Sequence, residues 1–216
     1  CGSVEKICME SQMKELKDCR FRIACDVTNP LLGEKGASMV YGPQKGADPL
    51  LAARMERMHR HFAEKTAQAV GKDYAGYPGA GAAGGLGFAF LAYLGAVLEP
   101  GIDLAMETAE LEKNLKDADY VITGEGRLDD QSAMGKTPVG VARLAKKYGL
   151  PVIAVAGGVA PGANLCHEKG IDACFSILPE VMSLKRAMEP ERAAENIRRT
   201  AEQIMRLIHT AENRKN

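Results

Sequence analysis

The stretch YVITGEGRLDDQSAMGKTPVGVARLAKKYGLPVIAVAG, residues 120–157, decides the fold that we predict for this chain. It begins with a short apolar run over 120–123, continues through a polar loop with glycines, and then shows a helical pattern over 137–148. A second apolar run follows over 151–156. Two strands joined by a helix of this length indicate a parallel sheet with helices packed against it.

The same alternation continues towards the end of the chain. A strand is predicted over 173–177, and a helix with one apolar face begins after Pro190. We therefore assign residues 103–216 to the C-terminal portion of a Rossmann-like domain, in which a parallel sheet is flanked by helices.

The first part of the chain, residues 1–102, is less regular, and we interpret it as a second α/β domain on the substrate side. The pattern predicts short strands over 21–25 and 38–41 and a helix that starts at Pro49. The run over 88–98 is apolar on nearly every side, which is typical of a buried helix.

Composition and charge exclude several classes of function. The 28 basic residues balance 28 acidic ones, so we expect no general attraction for nucleic acid or for an anionic membrane. No apolar run reaches the length of about 18 residues that a membrane span needs. The six cysteines form no C-x-x-C pair, which favours reduced thiols and a cytoplasmic location. His59 and His61 form an H-x-H pair, but we expect both to be solvated helix residues.

The glycine segment, residues 78–87, contains the letters of a G-x-G-x-x-G motif. A dinucleotide fingerprint requires an apolar strand immediately before it, and the polar run KDYAGY stands there instead. The segment opens a helix, so its backbone N–H groups could bind a phosphate or a carboxylate. Close packing of that helix on a neighbour is the alternative. The candidate ligand-binding residues are Gly79, Gly81, Gly84 and Gly85.

A second candidate site follows the predicted strand at 120–123. A loop in this position lies at the carboxyl edge of a parallel sheet, where α/β proteins bind ligands. Its carboxylates and cations suit a Mg²⁺–nucleotide complex, although a capped and solvated loop is the alternative. We predict nucleotide contacts from one set of residues, namely Thr123, Gly124, Glu125, Gly126 and Lys136. We further predict that Arg127 binds substrate and that Glu125 and Asp129 bind the metal.

A third group of candidates lies near the first predicted strand. Asp26 and Asn29 come directly after it, and Lys45 lies in the tight turn GPQKG. Asx residues just beyond a strand commonly cap a turn, and a catalytic role is equally open at this point.

Three long stretches in the same order resemble the type I glycerate kinase family. They are ACDVTNPLLGEKGASMVYGPQKGAD (24–48), PGAGAAGGLGFAFLAYLGAVLEPGIDL (78–104) and DADYVITGEGRLDDQSAMGKTPVGVA (117–142). Members of that family transfer the γ-phosphoryl group of ATP to D-glycerate, and they combine a Rossmann-like domain with a second, inserted α/β domain. The resemblance covers the C-terminal part of such a protein, so it implies a missing N-terminal portion of the same protein as a partner.

The resemblance implies ATP and Mg²⁺ as cofactors and glycerate as the small-molecule substrate. We interpret Asp26 as the base that accepts the substrate hydroxyl proton, with Asn29 orienting it and Lys45 holding an anionic group. Two alternatives stay open: an inactive remnant that keeps a ligand pocket, and a dinucleotide-dependent enzyme.

Overall fold

The structure is a computed structural model that describes residues 2–214. The chain divides into two compact units, Cys1–Leu104 and Ala105–Asn216, and each contains its own apolar core. Both units combine helices with parallel strands, so the predicted α/β fold is confirmed. None of the helices within residues 2–214 has the length and apolar character of a membrane span.

The first unit pairs two short strands with helices. β1 (Arg22–Ala24) lies parallel to β2 (Val97–Glu99). The helices are α1 (Ala37–Tyr41), α2 (Pro49–Val70), α3 (Leu86–Leu94) and α4 (Gly101–Thr108), within which the boundary between the units falls. The core of this unit packs Leu31 against Phe88 and Leu91.

The long helix α2 starts and stops at the residues that the sequence marks. Asp48 Oδ1 accepts a hydrogen bond from the Leu51 amide at 2.7 Å, and Pro49 occupies the first helical position. Gly71 ends the helix with a left-handed φ of 78°. These signals explain why the predicted start of this helix is confirmed.

Two predictions in the first unit are wrong. Residues 38–41 belong to helix α1 instead of a strand, because the Val40 amide bonds to the Gly36 carbonyl in the helical i to i−4 pattern. The apolar helix ends early, at Leu94, because Gly95 adopts a left-handed φ of 58° and the chain then enters β2.

The second unit is built on three parallel strands in the order β3 (Val121–Leu128), β4 (Val152–Val159) and β5 (Ala173–Ser176). Its helices are α5 (Leu111–Leu115), α6 (Thr137–Lys146), α7 (Leu184–Ala187) and α8 (Pro190–Glu212). Ala142 and Ala145 of α6 are fully buried in the core of this unit.

Strand β3 is longer than predicted. The loop was expected to begin at Gly124, but the pairing with β4 continues as far as Leu128, which lies opposite Val159. Glycine and charged residues have a low intrinsic preference for strands, and here pairing with the buried neighbouring strand overrides it. The loop at the carboxyl edge of the sheet therefore begins at Asp129.

Candidate active site

Asn29 connects three segments of the first unit. Its Nδ2 donates to the Lys35 carbonyl at 2.8 Å, and its Oδ1 accepts from the Tyr41 hydroxyl at 2.7 Å. Its backbone carbonyl accepts from the Gly81 amide at 2.9 Å. Because its side-chain amide is hydrogen-bonded to protein at both ends, Asn29 is better placed to hold the loop after β1 than to contact a substrate.

A cavity of about 230 Å³ brings two of the predicted residues together. Lys45 and Gly84 both line it, together with Tyr41 and His59. Asp26 is not among the lining residues. The structure therefore links the lysine turn to the glycine segment and leaves Asp26 outside this cavity.

His59 also lines this cavity, although its sequence context did not predict it as a site residue. The prediction that His59 and His61 are solvated is wrong, because both are partly buried and hydrogen-bonded. His59 Nδ1 lies 3.0 Å from Ser38 Oγ, and His61 Nε2 lies 2.7 Å from the Val4 carbonyl oxygen. Burial lowers the pKa of His59, and the nearby Glu56 carboxylate partly offsets this effect. The ring is therefore neutral at pH 7.

The glycine segment serves packing at some positions and is open at others. A Cβ at Gly81 would lie 2.3 Å from the Pro30 carbonyl oxygen, and one at Gly79 would lie 2.8 Å from a leucine side chain of β2. Gly85 adopts a left-handed φ of 104° where the chain enters α3. A Cβ at Gly84 would meet no atom within 4 Å. Packing therefore explains Gly79 and Gly81, whereas a left-handed φ of 71° explains Gly84, which is exposed.

The first turn of α3 retains hydrogen-bond donors. The Phe88 amide is bonded to the Ala80 carbonyl at 2.9 Å. Among residues 2–214, no backbone hydrogen bond uses the amides of Leu86 or Gly87. The first N–H groups of a helix lack intrahelical partners and favour an anion, so these two amides are the donors with which the segment can bind one.

Asp26 lies in an exposed position just after β1. Its Oδ1 accepts a hydrogen bond from the Gly101 amide at 2.8 Å, at the first residue of α4. A carboxylate is favourable at this end of a helix. One carboxylate oxygen therefore caps α4, and the other is available for a proton.

Glu125 occupies the middle of β3, opposite Ala156 of the neighbouring strand. Thr123 and Arg127 lie two residues away on either side, so the three side chains share one face of the strand. Glu125 Oε1 is buried and has no hydrogen-bond partner within the described part of the chain. A buried carboxylate oxygen is costly without a donor or a cation, so this atom is a candidate position for a ligand.

Asp129 and Ser132 cap each other where β3 ends. The Ser132 amide donates to Asp129 Oδ1 at 3.2 Å, and the Asp129 amide donates to Ser132 Oγ at 3.1 Å. Lys136 is exposed, with its Nζ 3.3 Å from Gln131 Oε1. The loop is thus capped, as expected if it were only a capped and solvated loop. It also carries charged groups at the carboxyl edge of the sheet.

The buried Cys166 thiol lies near the end of β3. Its Sγ is 3.9 Å from the Asp129 carbonyl oxygen. Burial raises the pKa of Cys166, and Cys174, Glu125 and Asp129 raise it further. Both carboxylates therefore act on the same thiol, which stays neutral at pH 7 and is no nucleophile.

The two carboxylates fit a metal that arrives with phosphates rather than a preformed metal centre. Residues 2–214 contain no group of three or more His, Cys, Asp or Glu side chains that could hold an ion. Mg²⁺ usually takes one or two carboxylates and completes its shell with waters and substrate phosphates. The buried Glu125 oxygen and the Asp129 carboxylate are compatible with that requirement.

The comparisons with known proteins agree with one another over almost the whole chain. Residues 2–209 match the family model of the glycerate kinase family. The chain belongs to this family. It is 48% identical over 197 residues to the glycerate kinase of Halalkalibacterium halodurans, covering 89% of this chain and 52% of that protein. It is 47% identical over 189 residues to the glycerate 2-kinase of Escherichia coli, covering 88% and 49%.

A solved structure extends the similarity to three dimensions. A crystal structure of a glycerate kinase 2 from Salmonella typhimurium LT2 is 40% identical to the chain, with a TM-score of 0.83. The match covers 98% of this chain and 54% of that one. The chain thus spans about half the length of the glycerate kinases that it matches.

Gly124, which we predict to contact the nucleotide, also has a packing role in the sheet. A Cβ at Gly124 would lie 2.3 Å from the Val155 carbonyl oxygen of β4, whereas a Cβ at Gly126 would meet nothing within 4 Å. Gly124 is therefore required by strand packing, and Gly126 is the position open to a ligand.

We expect Gly124→Ala to destabilise the protein by about 1–3 kcal/mol, because the added methyl group would push against the backbone of β4. Gly126→Ala is the matched control and should change the free energy of unfolding by less than about 0.5 kcal/mol, since its Cβ enters open space. Urea unfolding of both variants measures the difference. Equal losses would show that packing on β4 does not distinguish the two glycines.

Proposed function

We propose that the protein phosphorylates glycerate, transferring the γ-phosphoryl group of ATP to a hydroxyl of D-glycerate with Mg²⁺. The observation that carries this proposal is the similarity to glycerate kinases over about nine-tenths of the chain. The three quoted motifs support the type I branch of the family. The scattered cysteines support a cytoplasmic location.

The two halves of the chain take different parts of the reaction in this proposal. Residues 1–102 form the substrate-side domain, and residues 103–216 form the C-terminal portion of the Rossmann-like nucleotide domain. The parallel sheet of the second unit supports this division, because its carboxyl edge is the usual ligand position in open α/β sheets.

Groups of the first unit hold and activate glycerate. Lys45 and the amides of Leu86 and Gly87 provide positive charge and N–H donors for the substrate carboxylate. Asp26 accepts the proton of the attacking hydroxyl with the carboxylate oxygen that does not cap α4. Asn29 holds the loop between these groups in place.

Groups of the second unit hold the nucleotide. Glu125 and Asp129 would bind Mg²⁺, which neutralises charge on the phosphate oxygens during transfer. Lys136 faces solvent at the carboxyl edge, where it can approach the phosphates, and Arg127 supplies a positive charge for the substrate. Phosphoryl transfer depends mainly on such alignment and neutralisation.

We expect Glu125→Gln to raise the Mg²⁺ concentration needed for half-maximal activity by about 10–100-fold. This is the loss of metal affinity that follows when a residue supporting a metal ligand is mutated, and we take it as the scale here. The glutamine has nearly the same size, so it removes the charge and leaves the packing. Glu168→Gln, at an exposed glutamate of the same unit, is the control. An unchanged Mg²⁺ titration in Glu125→Gln would remove this residue from the metal site.

A substrate panel tests the proposed function. ADP release would be followed with ATP, Mg²⁺ and one of glycerate, lactate or glycolate. We expect ADP release to depend on glycerate and to be at least tenfold slower with lactate or glycolate. Each of these acids lacks one hydroxyl group of glycerate, and a lost hydrogen bond to a charged or buried group lowers binding by about tenfold or more. Equal release with every acid, or with none added, would contradict the proposal.

A further inference from the structure

A second and larger cavity, of about 900 Å³, lies in the second unit beside the start of α8. Its wall is formed by residues that follow β5, including Pro179, and by the first turns of α8 from Pro190 to Arg199. Because the wall begins directly after β5, the cavity lies at the carboxyl edge of the parallel sheet. None of the residues assigned above to the metal or to substrate lines it.

Two buried donors in this cavity make no hydrogen bond in the described part of the chain. Asn196 is only 4% exposed, and its Nδ2 has no hydrogen-bond partner within residues 2–214. Arg192 Nε is likewise buried without a hydrogen bond, and it forms only a long ion pair with Glu189 Oε2 at 3.6 Å. Arg192 and Asn196 are four residues apart on α8, so they lie on the same face of the helix. Buried donors of this kind are costly unless a ligand supplies the acceptors.

The charges around the cavity select the chemistry of the ligand. Four glutamates line it against two arginines, and Glu195 is held by Arg198 in a bidentate ion pair at 2.7 and 2.8 Å. An excess of carboxylates disfavours a triphosphate. The cavity instead suits a neutral ligand that offers acceptors to the two buried donors and N–H groups to the carboxylates. The two prolines of the wall add apolar surface for such a ligand. A purine base has these properties.

We propose that this cavity binds the adenine base of the ATP donor, an inference that rests on the proposed function. Asn196 Nδ2 donates to a ring nitrogen and its Oδ1 accepts from the exocyclic amino group, the pairing by which asparagine recognises adenine. Arg192 Nε donates to a second acceptor of the nucleoside. β4 alone separates β3 from β5, so the two strands are about 10 Å apart. A nucleotide can therefore extend from the base at β5 to the phosphates at β3.

Asn196→Leu tests the proposal with a side chain of similar volume that lacks the amide. We expect KM for ATP to rise about 3–10-fold, the effect of one lost hydrogen bond. The preference for ATP over GTP should fall by a similar factor, because guanine presents an oxygen where adenine presents the amino group. The melting temperature without nucleotide should be unchanged or higher, since leucine removes an unpartnered buried donor. Asn114→Leu, at an exposed position of α5 outside the cavity, is the control.

A binding measurement separates this proposal from the kinase function. Adenosine, which carries no phosphate, should raise the melting temperature of the wild type and of Asn114→Leu but not of Asn196→Leu. An equal shift in all three proteins, or an unchanged ATP-to-GTP preference, would overturn the adenine site and leave the kinase function standing. If the wild-type protein binds adenosine but does not phosphorylate glycerate, the proposed kinase function is overturned and the adenine site stands. Should Asn196→Leu fail to fold, Arg192→Lys should raise KM for ATP in the same direction, and an unchanged KM would overturn the site.

Discussion

Asp26→Asn is expected to lower kcat for glycerate phosphorylation by about 10²–10⁴-fold, the usual contribution of a general base, with little change in KM. The structure makes this substitution a specific test. Asp26 Oδ1 accepts from the Gly101 amide, and the asparagine carbonyl oxygen can accept the same hydrogen bond. The cap of α4 is therefore retained, and only the proton-accepting charge is lost. Steady-state kinetics with ATP and glycerate measure the effect.

Asp73→Asn is the matched control, because Asp73 is also an exposed aspartate of the first unit whose Oδ1 accepts a backbone amide, that of Ala75 at 2.8 Å. It should leave kcat within about twofold, as expected for a surface substitution. A fall of less than about threefold in Asp26→Asn, far below the range for a general base, would mean that Asp26 only caps α4. A large rise in KM for glycerate would make it a binding residue instead.

Lys45→Met is expected to raise KM for glycerate by about 10–150-fold, the equivalent of one lost hydrogen bond to a charged group. Methionine keeps most of the unbranched stem and removes the ammonium group of a residue that lines the cavity together with Gly84 and His59. Initial rates over a range of glycerate concentrations give the KM.

Lys65→Met, on α2 but outside that cavity, is the control for general loss of charge, and we expect it to leave KM for glycerate unchanged. If Lys45→Met instead raises KM for ATP and spares glycerate, the lysine binds phosphate. If neither constant changes, Lys45 is a solvated turn residue and the cavity does not hold the substrate carboxylate.

The regular part of the fold could be predicted because local signals and burial agree there. The apolar runs that became β4 and β5 are flanked by turn residues, and α6 starts at Thr137 as its pattern indicated. The extension of β3 could not be predicted, because Gly124 and Glu125 have low strand preference. Only pairing with β4, which is a non-local contact, keeps them extended.

The site was predictable at the level of segments and not at the level of atoms. The glycine segment and the charged end of β3 were recognised from their positions relative to strands. The packing role of Gly124 depends on a carbonyl group of another strand, and the cavity position of His59 depends on α1, which was predicted as a strand. Asn196 looks like an ordinary polar helix residue in the sequence, and only its burial reveals it.

³¹P NMR of a reaction that contains the purified full-length protein, ATP, Mg²⁺ and D-glycerate tests the central claim most directly. The proposed function predicts that the γ-phosphate signal of ATP declines while a phosphate monoester signal grows in equal amount, split by the protons of the esterified glycerate carbon. Growth of inorganic phosphate alone, or an unchanged ATP spectrum, would contradict the claim that the protein transfers phosphate to glycerate.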